Sequence, residues 1–94
     1  KVVGSGARGI VMASFDSQVL DNDIECPEIG IELNSADKNT IGENRIVSAG
    51  TGATAPIDED VNCDKNLYTG NNLVTSVNAP SFLGTNRTEI GTKQ

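Results

Sequence analysis

A core for this chain has to be built from aliphatic side chains, because Phe15, Tyr68 and Phe82 are its only aromatic residues. Its 94 residues suit a single domain, residues 1–94, and a domain of that size buries only about 60–65% of the surface its unfolded chain exposes. The core is therefore thin, and a thin core calls for a covalent staple or a partner.

The aliphatic residues fall in short runs broken by turn residues. Ile29-Gly30-Ile31-Glu32-Leu33 is the clearest: Ile29, Ile31 and Leu33 share one face, as in a half-buried strand. Arg45–Ser48 and Asn72–Val77 read as further strands, and Ser81–Leu83 and Thr88–Ile90 as short closing ones. Ile10–Leu20 fits two patterns, since Val11, Phe15 and Val19 recur at helical spacing while Ile10–Phe15 also alternates. The β-branched start favours a strand over Ile10–Phe15. Ahead of it, residues 1–9 read as an extended lead-in. Its Gly4-Ser5-Gly6 lacks the Lys-Ser/Thr of a phosphate loop. No internal repeat is evident. Together these runs predict a mainly β fold: a small antiparallel sheet domain with long loops and one disulfide.

The disulfide is expected between Cys26 and Cys63, the only cysteines. Neither has a CxxC neighbour, and the chain has no histidine to complete a zinc site. In an oxidising compartment such a pair forms a bridge, here worth about 4 kcal/mol of loop-closure entropy; in a reducing one the two are buried thiols. The abundance of Asn, Thr, Ser and Gly, and a start at Lys1 where an exported chain has lost its leader, favour the first alternative and a secreted or periplasmic location. No apolar run approaches the length of a membrane span, so direct membrane insertion is not expected.

Net charge is −6, and the seven basic residues are scattered singly. Nucleic acid needs a basic face, so it is not expected as a partner. The lack of histidine removes Ser-His-Asp and Cys-His catalysis, and a glycosidase cleft would want aromatic platforms that a chain without tryptophan does not supply. The expectation is a protein that is not an enzyme, has no catalytic residues and needs no cofactor.

Two local patterns carry chemistry. Asp58, Asp60, Asn62 and Asp64 present oxygen at alternate residues, as the first half of a calcium loop does. Cys63 and Thr69 stand where an EF-hand has its glycine and bidentate glutamate. The segment is thus either a looser Ca²⁺ loop or an acidic surface turn. Asn86-Arg87-Thr88 matches the glycosylation sequon. A third feature is apolar: Val2, Val3, Ile10, Val11, Met12 and Phe15 form the densest hydrophobic cluster, either as core or as a face that docks on a partner.

From the Val2–Met12 lead through Cys26 and Cys63 to the Asn-rich C-terminal strands, the chain resembles the globular domain of type IV pilins. More narrowly, it resembles the separate C-terminal subunit of split pilins, geopilin domain 2. The resemblance implies a structural subunit of a pilus-like filament at the cell surface. It would dock noncovalently on a separate helical pilin chain and on neighbouring copies. The long hydrophobic stem with its glutamate is absent from this chain, as a stemless second subunit requires. The runner-up is a monomeric secreted binding module, adhesin-like or decorating, stabilised by calcium.

Overall fold

The computed structural model describes residues 2–3, 8–47, 49–52, 54–74 and 76–93. They form a β-solenoid in which the chain winds through four coils of three short strands each, every strand lying parallel on its counterpart in the coil before. The first coil holds β1 (Val2–Val3), β2 (Arg8–Met12) and β3 (Gln18–Leu20). The second holds β4 (Asp23–Glu25), β5 (Ile29–Leu33) and β6 (Thr40–Gly42). The third holds β7 (Arg45–Val47), β8 (Ile57–Glu59) and β9 (Leu67–Thr69), and the fourth β10 (Asn72–Val74), β11 (Ser81–Phe82) and β12 (Thr88–Ile90). Three four-stranded sheets result, ordered β1-β4-β7-β10, β2-β5-β8-β11 and β3-β6-β9-β12 along the solenoid axis.

This architecture corrects the sequence reading on pairing, on the disulfide and on the repeat. The sheets are parallel throughout, not antiparallel. Among the described residues no hairpin forms, because each strand ends at a corner that turns the chain onto the next sheet rather than back along the same one. The expected Cys26–Cys63 disulfide is also absent: both residues are buried thiols. Cys26 sits in the corner between β4 and β5 and Cys63 in the corner between β8 and β9, so different corners hold them. Of the twelve described strands, six were legible, namely β2, β5, β7, β10, β11 and β12, whereas β1, β3, β4, β6, β8 and β9 were not. β5 and β12 have the expected bounds, β7 and β10 the expected starts, and Arg8 and Gly9, placed in the lead-in, open β2.

Inward positions stack from coil to coil. Ile10, Ile31 and Ile57 share a column, as do Val19, Ile41 and Tyr68, and so do Ile24, Ile46 and Leu73. Ile24, Ile31, Leu33, Ile41, Ile46, Ile57 and Tyr68 are fully buried, and each such aliphatic side chain contributes about 1.5–3 kcal/mol. A staple is thus unnecessary to close this core, which runs the length of the axis. Gly30 shows how tightly the sheets meet. A Cβ there would lie 2.5 Å from Ile46 Cγ2 and 2.8 Å from the Pro56 carbonyl oxygen.

The repeat that the strands imply is visible once the coils are aligned. Asp37-Lys38-Asn39 to Asn44-Arg45-Ile46-Val47 overlays Asp64-Lys65-Asn66 to Asn71-Asn72-Leu73-Val74. The expectation of no internal repeat is therefore overturned.

Candidate functional site

Two corners of every coil turn on a residue in the left-handed region. At the first corner these are Asp16, Lys38, Lys65 and Asn86, and at the second Asp21, Glu43, Gly70 and Gly91. A non-glycine residue there costs about 1 kcal/mol or more, so something must hold the corners in place.

Asparagine does. Asn39 donates from Nδ2 to Ser14 O (2.9 Å) and accepts on Oδ1 from Ser17 N (2.9 Å). One coil on, Asn66 repeats the pattern with Ala36 O (2.7 Å) and Asn39 N (2.9 Å). At the second corner Asn44 spans Val19 O and Asn22 N, and Asn71 spans Ile41 O and Asn44 N. Each amide reaches back to clip the corner of the preceding coil, and successive amides also bond to one another, Asn39 to Asn66 and Asn44 to Asn71. All four are buried. Sequence reasoning missed them, although the signal was there: Asn39 and Asn44 stand at the same spacing as Asn66 and Asn71.

The apolar cluster Val2, Val3, Ile10, Val11, Met12 and Phe15 falls wholly within the first coil and its corner, and there it divides. Met12 is core and Ile10 packs against the core, whereas Val11 is 54% and Phe15 65% exposed. Val2 and Val3 form β1 against β4, and their side chains lie outside the described residues. β1, β2 and β3 are the outermost strands of their sheets, each with a hydrogen-bonded neighbour on one side only among the described residues. Beside this edge Arg8 Nε meets Glu32 at 2.8 Å. The hydrogen bond from Arg8 holds the Glu32 carboxyl below its usual range.

The Asp58–Asp64 segment does not gather around one point. Asp58 lies on β8 and its carboxyl is pushed up by burial, then by Glu32 and Asp60. Burial also pushes Asp60 up, but bonds from Ser35 N, the Cys63 thiol and Asn62 N outweigh it and hold the carboxylate low. Asn62 is exposed in the corner. Asp64 faces the fourth coil, where Asn86 Nδ2 (2.8 Å) and Thr85 Oγ1 (3.0 Å) donate to it and lower its pKa. The same bond occupies the amide of Asn86, the sequon residue. Among the described residues no three His, Cys, Asp or Glu side chains are grouped to hold a metal ion.

Inside the third coil Glu59 stands in the column of Met12, Leu33 and Phe82 and is fully buried. Its Oε1 accepts from Asn66 Nδ2 (2.9 Å) and Tyr68 OH (3.0 Å), while Oε2 has no hydrogen-bond partner. Burial, then the neighbouring carboxylate, pushes the Tyr68 phenol up. Close by, Cys63 Sγ lies between Leu33 O and Asp60, and burial raises its thiol to about 11. A thiol held neutral in this way is a poor nucleophile at neutral pH.

Comparison of the chain with protein-family models, with curated proteins and with solved structures returns no match.

Proposed function

We propose that the chain is a structural, non-enzymatic unit that docks through the edge of its first coil on a separate chain in a filament-like assembly at the cell surface. One observation carries this reading. The apolar residues that the sequence marks for docking lie together on the coil whose three strands are outermost in their sheets among the described residues. The exposed Val11 and Phe15 are the side chains there for a helical pilin-type partner to cover by packing. A rigid ladder of aliphatic columns and amide clips suits a load-bearing subunit.

The test is made in the cells that produce the protein. An epitope-tagged chain is expected in the high-molecular-weight fraction sheared from the cell surface. Val11→Lys and Phe15→Lys should leave it in the soluble fraction with an unchanged circular dichroism spectrum and melt. A chain found only as soluble monomer, or a Val11→Lys variant that still assembles, overturns the reading.

A further inference from the structure

The first and fourth coils are chemically unlike, and it is the fourth that departs from the repeat. In the first clip column Ser17 is followed by Asn39 and Asn66, and then by Arg87. In the second, Asn22, Asn44 and Asn71 are followed by Thr92, whose buried Oγ1 has no hydrogen-bond partner. Inward, Val19, Ile41 and Tyr68 are followed by Glu89, which the register with Tyr68 places on the core side of β12. Arg87 leans over the Phe82 ring with its guanidinium carbon 5.1 Å from the centroid, and its Nε lies 3.7 Å from Glu89. The pair thus drapes over two neighbouring inward columns, where the Phe82 and Tyr68 rings meet with centroids 4.5 Å apart and planes tilted by 45°.

We infer that Arg87 and Glu89 make the outer side of the fourth coil a poor seat for the first coil of a second copy. The rest of that end still follows the repeat. Continuing the register by one coil sets β2 of an incoming copy on β11, with Met12 against Phe82, and β3 on β12, with Leu20 against Ile90. Leu20 and Ile90 are 41% and 60% exposed in the single chain and lie in one outward column, so stacking would cover both. Two residues oppose it. Glu89 would meet Val19 inside a dry core with its carboxylate stripped of water, and Arg87 offers neither the amide oxygen nor the compact shape of the clip. Inward charge at an edge and a polar outer coil are established ways to stop a stacked β-structure from growing. Without them, a head-to-tail contact between identical copies would not close on itself and would run on as a fibre. The inference concerns the end opposite the proposed docking edge and holds or falls independently of what docks there.

Sedimentation velocity over a range of concentrations tests it. The wild-type chain alone is expected to show no head-to-tail polymer. Arg87→Asn with Glu89→Val, which restores the residues of the earlier coils, should give species whose sedimentation coefficient grows with concentration. Adding Leu20→Lys to that variant should return it to the wild-type pattern. Glu89→Val alone, at an exposed side chain on the last strand, should promote the same association more weakly and serves if the double variant does not fold. Polymers of the wild type, restored variants that never associate, or an association that Leu20→Lys leaves untouched would each overturn the inference.

Discussion

Residues at the same place in successive coils do the same work, and asparagine shows this best. Asn44 accepts from Asn22 N, donates to Val19 O and bonds Asn71, all while buried. Truncating it strands several buried polar groups, each costing about 1–3 kcal/mol. Asn44→Ala is therefore expected to lower the unfolding free energy by about 2–4 kcal/mol in urea titration. Asn22 sits half-exposed on the first coil, and its own amide nitrogen donates to the nearby Leu20 O and to Asn44. Asn22→Ala should cost less than about 1 kcal/mol. Equal losses at the two positions would mean that the clips are not what holds the corners. Glu59 is the exception to the repeat, a buried acid in a column otherwise filled by Met12, Leu33 and Phe82.

Among the elements, the sheet β2-β5-β8-β11 carries the charge problem. Glu32 and Asp58 are opposite one another on adjacent parallel strands and both point outward, about 4.8 Å apart across the ladder. Arg8 relieves Glu32 by a direct hydrogen bond and Asp58 only by its charge, which burial and two acidic neighbours outweigh, raising the Asp58 pKa above 3.8. The native state thus holds the Asp58 proton more tightly than the unfolded chain does. Ionised Asp58 weakens the fold at neutral pH, and that penalty fades as pH falls through the native pKa towards 3.8. Asp58→Asn is expected to stabilise by about 0.5 kcal/mol at neutral pH. The gain should vanish below 3.8 in parallel thermal melts. A gain that persists or grows in acid would show that the charge is not the cause.

For the molecule as a whole, stability is shared between neighbours along one axis. The second and third coils have a coil on both sides, and their Ile31, Ile41, Ile46 and Ile57 are fully buried, whereas every residue of β12 is exposed. Native-state hydrogen exchange should accordingly find the slowest amides in β5, β6 and β7 and the fastest strand amides in β12. Uniform protection across all coils would contradict it. The longer strands were legible because a half-buried parallel strand alternates as an antiparallel one does, which is why Ile29–Leu33 was found and its pairing was not; β3, β4, β6, β8 and β9 are too short to show the alternation. Direction is set by where the chain goes after a corner, and the left-handed residues that turn it are mostly Asp, Lys and Glu, not the glycines that signal turns in sequence. The repeat was hidden because its spacing changes: Asn22 and Asn44 differ by 22 positions, and Asn44 and Asn71 by 27. Most of the extra length lies in the connection between β7 and β8, and the remaining residue in the corner between β8 and β9. Of the proposed docking edge, the sequence showed the apolar residues; that Val11 and Phe15 stand clear of the core while Ile10 and Met12 do not depends on the winding.

The clips all reach in one direction, from each coil back to the one before. A corner is therefore incomplete until some twenty or more further residues have been made and have folded onto it. On a ribosome, order must advance from the N-terminus with a lag of one coil, each newly synthesised turn locking its predecessor while its own amide groups wait. Translation and folding are thereby geared to the same polarity, and a pause within one coil would leave the previous corner open for as long as the pause lasts.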